Sequence, residues 1–139
     1  MTKFPDCFPA NFEENILPKD VEFASYPAYR ILKRGILDHQ AFLSTYEEAK
    51  VTGFFPRGCD LNDPGTYSTS VFQGMNDIMK LQKIMFKHHP RAAIARGSTE
   101  PSCGPCKTSK KGSHIDWWIY KDTSPELYFK EVQEDADAK

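Results

Sequence analysis

The chain has 139 residues, of which 40% are hydrophobic and 27% are charged, and its formal net charge is -1. These totals fit one globular domain that can bury a core, and exclude the low hydrophobicity of a disordered chain. No apolar run approaches the roughly 20 residues of a membrane span, and the N-terminus lacks the apolar stretch of a signal peptide. We therefore expect a cytoplasmic protein with reduced cysteines and no membrane partner.

The small net charge hides two regions of opposite sign. Between Met79 and Gly112, eight Lys or Arg residues stand against a single acid, Glu100, whereas residues 122–139 carry six acids and two lysines. The simpler interpretation is two solvated surfaces and a frayed acidic tail over 133–139. The alternative is that the basic 79–112 stretch meets phosphate, with nucleic acid as a partner, although it lacks the aromatic interleaving of single-strand binders.

The first half of the chain predicts an irregular arm, a strand and a helix. Residues 1–27 contain four prolines, which block regular hydrogen bonding, so we expect an arm that packs aromatic side chains on the body: Phe4, Phe8, Phe12 and Phe23. Residues 28–32 predict a short strand. Asp38 is a suitable N-cap, and apolar residues at helical spacing follow it. Residues 53–65 are rich in turn formers and predict a loop.

The second half predicts three more strands and two helices. Strands are expected over residues 66–72, 92–95 and 113–120, and a helix from Met75 to Lys87, with a loop over 97–112. Ser124 and Pro125 are typical of a helix start, with Ser124 as the cap. This element order predicts a compact single α+β domain, with a small mixed or antiparallel sheet and two or three helices.

The most recognisable motif is Cys103-Gly104-Pro105-Cys106, the active-site tetrad of thioredoxin-like oxidoreductases. Such a site places the first cysteine between a buried strand and the start of a helix, which lowers its pKa. Here the residues before the motif are too polar for that strand, and those after it form a poor helix. The flanks favour a tight turn, in which Lys107, Lys110 and Lys111 would keep a nearby thiol partly ionised.

A zinc site is a second interpretation of the same motif. Cys-x-x-Cys forms half of many zinc sites, and thiolate with imidazole suits this metal. Two further ligands would have to come from distant parts of the chain. The candidate set is Cys103 and Cys106 with Cys59 and His114.

The predicted strand over 113–120 has chemically distinct faces. Alternation places Ile115, Trp117 and Ile119 on one face, and on the other His114, Asp116, Trp118 and Tyr120. In the simpler interpretation the Trp pair fills the core, while His114 and Asp116 bond each other or water. In the functional interpretation His114 and Asp116 lie in a cleft as donor and base, beside ligand-binding Trp118 and Tyr120.

An arginine on the first strand, Ser68-Thr69-Ser70 on the next and an acid on a late strand together resemble the ADP-ribosyltransferase pattern. The resemblance implies NAD as the cofactor, with Arg30 binding its phosphate. Ser68 and Ser70 would shape the nicotinamide pocket, and an acid would stabilise the oxocarbenium ion of the ribose. Asp116 is the nearest acid in position, where the family has a glutamate, and Glu100 is the next.

The leading functional hypothesis is a small soluble binding or accessory module. It would act through contacts with a protein partner or a phosphate ligand, using the basic 79–112 stretch and its Lys107, Lys110 and Lys111. The alternatives are an NAD-dependent transferase, with Arg30, Ser68, Ser70, His114 and Asp116 as its catalytic residues, and a zinc-stabilised domain. The transferase hypothesis requires the side chains of Arg30, Ser68 and Asp116 to converge on one pocket.

Overall fold

A computed structural model describes residues 3–132, so the predicted frayed tail lies outside the described residues. These residues form an α+β fold built on one antiparallel six-stranded sheet, in the order β4-β5-β2-β1-β3-β6. The strands are β1 (Pro27–Leu32), β2 (Thr69–Phe72), β3 (Ala93–Ser98), β4 (Cys106–Thr108), β5 (His114–Trp117) and β6 (Phe129–Glu131). The α-helices are α1 (Thr45–Thr52) and α2 (Met75–Met85). The predicted α+β class is confirmed.

Short helical turns connect these elements. They are a π-helix over Phe12–Ile16 and 3-10 turns over His39–Phe42, Pro64–Tyr67, Pro101–Cys103 and Pro125–Tyr128. Between residues 3 and 132 no helix has the length and apolar composition to cross a bilayer; α2 has only 11 residues.

The helix expected from Asp38 begins later than predicted. Asp38 accepts a hydrogen bond from the Ala41 amide at 3.2 Å, but it caps only the 3-10 turn that follows. Helix α1 starts at Thr45, because Ser44 and Glu47 form a reciprocal capping box, with bonds of 3.1 and 3.0 Å. The predicted helix is thus divided into a 3-10 turn capped by Asp38 and helix α1 capped by Ser44.

Three other predicted elements differ from the structure. Asp63 and Pro64 turn the start of the expected 66–72 strand into a 3-10 turn, so β2 begins at Thr69. The predicted 97–112 loop contains β4, which pairs with β5. The expected terminal helix is a 3-10 turn in which Ser124 makes no side-chain cap, and the chain then enters β6. Edge strands of three residues leave too short a pattern to be read as alternation.

The pairing register divides the side chains of the sheet between two faces. On the first, which we call the α2 face, Ile31 pairs with Ile94 and packs against Ile78 of α2. On the second, which we call the core face, Val71 pairs with Ile115 in a buried cluster that also holds Leu32, Phe42, Ala95, Trp117 and Phe129. Position in the register therefore decides which face each functional candidate occupies.

The N-terminal arm packs as predicted at three of its four aromatic residues. Phe4, Phe8 and Phe12 are buried in a cluster with Tyr67 and Trp118. Their rings meet at centroid distances of 4.9 to 6.4 Å, mostly edge to face. The expectation for Phe23 is wrong: its side chain is 64% exposed.

Candidate functional site

Four of the predicted catalytic residues form a polar cluster on the α2 face, which we call the Ser-His-Asp cluster. Ser70 of β2 pairs with Asp116 of β5, and Phe72 pairs with His114, so Ser70, His114 and Asp116 share this face. The Ser68 hydroxyl donates to Asp116 Oδ1 at 2.7 Å. Ser70 Oγ lies 2.9 Å from His114 Nε2, which lies 3.7 Å from Asp116 Oδ1.

The Ser-His-Asp cluster does not have the geometry of a hydrolase triad. In a triad the serine meets one imidazole nitrogen, and the carboxylate holds the proton on the other. Here both Ser70 and Asp116 approach the same nitrogen of His114, so Asp116 does not orient the imidazole for proton abstraction. The cluster is a set of polar side chains linked by the Ser68–Asp116 and Ser70–His114 hydrogen bonds, beside the ring of Phe72.

Arg30, the fifth predicted catalytic residue, lies on the opposite side of the sheet. Tyr29 pairs with Phe72, which places Tyr29 on the α2 face; its neighbour Arg30 pairs with Ala95 on the core face. The backbone of the sheet therefore separates the Arg30 side chain from those of Ser68 and Asp116. The resemblance to ADP-ribosyltransferases stays a prediction, and the placement of Arg30 does not favour it.

Glu100, the second candidate for the transferase acid, is also away from the Ser-His-Asp cluster. It follows β3, whose position in the sheet is two strands from β2. Its Oε2 accepts hydrogen bonds from Ser98 at 2.9 Å and from Ser25 at 3.4 Å. Glu100 therefore joins the arm to the end of β3.

The guanidinium of Arg30 is held by backbone carbonyls. Nε donates to Ala41 at 2.8 Å, Nη1 to Ser70 at 2.9 Å and Nη2 to Leu43 at 3.5 Å. Since a guanidinium carries five N–H donors, two of them have no protein acceptor among residues 3–132. No carboxylate of these residues lies at ion-pair distance from Arg30.

The surroundings of Arg30 change its electrostatics. Loss of hydration lowers the pKa of Arg30 to about 10, although the nearby Glu48 carboxylate raises it in part. The side chain is still a cation at neutral pH. Arg30 is half-buried and has no counterion among residues 3–132, so it bears part of the cost of desolvating an unpaired charge.

Arg30 borders a cavity of about 330 Å³, which we call the Arg30 cavity. Its walls come from the end of β1, the 3-10 turn over His39–Phe42, α1 and the loop after α1. The lining is mainly apolar, with Ile36, Leu43, Ala49, Val51 and Phe54 among its members. The charged lining consists of Arg30, Lys33, Arg34 and Glu48, with His89 as a further titratable group.

The cysteine motif forms a turn that the core encloses. Gly104 has φ of 139°, and a Cβ there would lie 1.9 Å from the Trp118 carbonyl oxygen. Cys103 and Cys106 are both buried. Burial raises the pKa of both thiols, so the expected partial ionisation beside the lysines is wrong. Both cysteines therefore pack in the core cluster rather than at an accessible redox site.

The zinc interpretation gains no third ligand from the structure. Across residues 3–132, no group of three or more His, Cys, Asp and Glu side chains is placed to hold a metal ion. Cys59, Cys103 and Cys106 are free thiols, and His114 bonds Ser70 in the Ser-His-Asp cluster. The expected four-ligand set is therefore not assembled.

The predicted ligand-binding aromatics are used in packing. The strand ends at Trp117, and Trp118 turns into the aromatic cluster of the arm, where its side chain is 1% exposed. Its Nε1 donates to the Pro64 carbonyl at 2.9 Å. Tyr120 packs on Phe4, with ring centroids 5.1 Å apart. The expectation that Trp118 walls a ligand cleft is wrong.

The basic 79–112 stretch is divided between two ends of the sheet. Lys80 and Lys83 are exposed on α2, the helix that packs on β1 and β3, whereas Lys107 is on β4, beyond β5 and β2. Lys107 forms an ion pair with Asp20 at 2.7 Å. Lys110 and Lys111 are exposed in the turn between β4 and β5. The stretch thus does not present one surface to a nucleic acid.

Sequence reasoning missed the Arg30 cavity, although one signal pointed to it. In a strand with period two, Arg30 shares a face with Ala28 and Leu32, both of which are core residues. A cation between two buried apolar residues of one strand face must find acceptors inside the protein. The residues that complete the cavity are spread over 60 positions, from Arg30 to His89, and only the fold brings them together.

Comparisons with protein-family models, with curated proteins and with solved structures found no match for this chain. The geometry of the Arg30 cavity and of the Ser-His-Asp cluster is therefore the basis for inferring function. The two sites differ in one chemical respect. The side chains of the cluster bond to one another, whereas the guanidinium of Arg30 bonds to backbone carbonyls and keeps two donors without an acceptor among residues 3–132.

Proposed function

We propose that this protein is a binding domain that captures a small organic anion without covalent chemistry in the Arg30 cavity. The observation that carries the proposal is the guanidinium of Arg30, which three carbonyls hold beside a cavity of about 330 Å³ and which has no carboxylate of residues 3–132 at ion-pair distance. Ligand sites are commonly mostly apolar pockets of this size with a few convergent polar groups. The sequence predicted a binding module for a protein or a phosphate ligand, and the proposal restricts its binding partner to a small organic anion.

Fixed donors favour binding of an anion. The three carbonyl bonds hold the planar fork in one orientation, so little side-chain entropy is lost when a ligand binds. Hydrogen bonds between charged groups are shorter and stronger than neutral ones, and carboxylates and phosphates match the fork of arginine. An anion at Arg30 would also supply the counterion that no side chain of residues 3–132 provides.

The apolar wall gives the ligand a second attachment. Ile36, Val51 and Phe54 line the cavity while remaining 51%, 72% and 75% exposed. Covering apolar surface is favourable by roughly 25 cal/mol per Å². A ligand whose anionic end meets Arg30 and whose body covers these side chains would use both features of the cavity.

Titration of the full chain with 3-phenylpropanoate tests the proposal. Calorimetry gives the affinity, and the ¹H–¹⁵N signal of Arg30 Nε reports contact at the guanidinium. Arg30→Gln should weaken binding by about tenfold or more, since hydrogen bonds to charged groups contribute about 1.5–3 kcal/mol. Arg96→Gln, an exposed arginine of β3, is the matched control and should bind as the wild type does.

A second pair of variants guards against misfolding of Arg30→Gln. Val51→Asp places a negative charge on an exposed wall residue, so the fold should persist while anion binding weakens. Leu127→Asp, at a side chain 77% exposed outside the cavity lining, is its control. The proposed function would be contradicted if the wild type did not bind 3-phenylpropanoate. It would also be contradicted if Arg30→Gln and Val51→Asp both bound it as tightly as the wild type does.

A further inference from the structure

The charges around the Arg30 cavity are paired in all but one case. Lys33 forms an ion pair with Glu48 at 2.9 Å, and Arg34 forms one with Asp38 at 2.5 Å. Arg30 has no such partner among residues 3–132. Among the Lys, Arg, Asp and Glu side chains of the lining, Arg30 is therefore the one without an ion-pair partner within residues 3–132, which leaves one uncompensated positive charge there.

A single positive charge distinguishes between classes of anion. A carboxylate carries one negative charge, whereas a phosphate monoester carries about -1.5 to -2 at neutral pH. The second charge of a phosphate would lie in a mainly apolar cavity whose other cations, Lys33 and Arg34, are already in ion pairs. It would also face Glu48, the one Asp or Glu that residues 3–132 contribute to the lining. Burial of an unpaired charge and like-charge repulsion both oppose its binding.

The hydrogen bonds that Arg30 still has to offer agree with this charge count. Two N–H groups remain, which is the number a carboxylate accepts in a bidentate pair with arginine. The cavity volume of about 330 Å³ equals roughly eleven water molecules at about 30 Å³ each. The remaining space can hold a compact apolar body against Ile36, Val51 and Phe54.

We infer that the ligand of the Arg30 cavity is a monocarboxylate with a compact apolar body, and that the Lys33–Glu48 ion pair excludes phosphate esters. This inference rests on the proposed function, and it names the ligand class of the same site. Glu48 contributes in two ways: it neutralises Lys33, and it places a negative charge in the wall. It is a residue for specificity, and Arg30 is the residue for anion binding.

Four probes with related structures test the ligand class at pH 7.5 on the full chain. They are 3-phenylpropanoate, 2-phenylethyl phosphate, the neutral 3-phenylpropanamide and acetate, which lacks the apolar body. The first should bind about tenfold or more tightly than each of the others, because each of these lacks the matched charge or the apolar area. Phosphate binding as tight as carboxylate binding, while still dependent on Arg30, would overturn the inference and leave the proposed function standing.

The remaining outcomes are also decisive. Equal binding of the amide would show that charge is not recognised, and it would overturn the inference and the proposed function together. Acetate binding as tight as that of 3-phenylpropanoate would remove the apolar body from the inference. If none of the probes binds, the proposed function itself fails.

Glu48→Gln tests the role of the ion pair directly. The variant removes the ion-pair partner of Lys33 and the negative charge in the cavity wall. Because a charge within a few ångströms changes binding by more than about 1 kcal/mol, affinity for 2-phenylethyl phosphate should rise by about tenfold or more. Affinity for 3-phenylpropanoate should change by less. The control is Glu131→Gln, which alters an exposed acid of β6 outside the cavity lining and should leave both affinities unchanged. Glu47 is not used as the control because its side chain caps α1. Unchanged phosphate affinity in Glu48→Gln would overturn the exclusion.

Discussion

Cys103 and Cys106 carry reactive side chains in a motif known from redox enzymes, whereas Arg30 is a single arginine within a strand. The structure reverses the importance that these two regions have in the sequence. The thiols are buried in a turn, and burial raises the pKa of each. Arg30 is held by carbonyls at the wall of a cavity, and two of its donors have no acceptor within the described residues.

The contrast between the two regions teaches that surroundings decide what a side chain can do. A group that the protein has already satisfied has little to offer a ligand, however suggestive its residue type. A group with unused donors at an open cavity can gain from binding. Besides the binding tests proposed for the Arg30 cavity, three experiments compare the cysteine turn, Arg30 and the Ser-His-Asp cluster.

The largest effect is expected from Gly104→Ala in the cysteine turn. The new Cβ would lie 1.9 Å from the Trp118 carbonyl oxygen, at a φ of 139° that side chains rarely adopt. The free energy of unfolding should fall by about 3 kcal/mol or more, from combined backbone strain and overpacking. Urea unfolding measures it. Gly112→Ala is the control, because no atom lies within 4 Å of its Cβ position. Equal stability of the two variants would refute a structural role for the turn.

Thiol labelling should separate the buried cysteines from Cys59. In the native protein at pH 7.5, iodoacetamide should modify Cys103 and Cys106 about 100-fold more slowly than Cys59, which is partly exposed, because burial limits both access and thiolate formation. Mass spectrometry of peptides gives the three rates. Fast labelling of Cys103 in folded protein would revive the redox interpretation.

The raised pKa values of the two thiols also make the free energy of unfolding depend on pH. The contribution of the protonated thiols to stability is present below the ordinary thiol pKa near 9.0 and is lost as pH rises through the raised values.

The smallest effect is expected from His114→Ala in the Ser-His-Asp cluster. Ser70 would then turn to water, and Asp116 would keep its bond from Ser68, so stability should fall by only about 1 kcal/mol. Affinity for 3-phenylpropanoate should stay within about twofold of the wild type, since the sheet separates the cluster from Arg30. Calorimetry with Arg30→Gln beside it checks this. An equal loss in both variants would join the two sites into one.

Local chemistry allowed several elements to be predicted. Period-two alternation identified β5, a short strand was predicted at the position of β1, and the apolar spacing of Met75, Ile78 and Met85 identified α2. The hydrogen bond network of Ser68 with Asp116, and of Ser70 with His114, follows from the pairing of β2 with β5. Such features depend on residues close in the chain or on a single strand pair.

Other features depend on tertiary contacts that no short pattern contains. Alternation placed Trp118 on the face of His114 and Asp116, but the strand ends one residue earlier and the side chain enters the arm's aromatic cluster. Strands β4 and β6 have three residues each and exist because a neighbour is present to pair with them. The face of Arg30 could be read from β1, but not the walls of its cavity.

The aromatic cluster of the arm has a consequence for biosynthesis. Phe4, Phe8 and Phe12 are synthesised before their partner Trp118, which follows roughly 100 residues later. At a translation rate of about 5–20 residues per second, roughly 5–20 s pass between the synthesis of these three residues and that of Trp118. During that interval the nascent chain presents an apolar segment to the ribosome surface and to chaperones. The arm can complete its packing only after translation has passed β5.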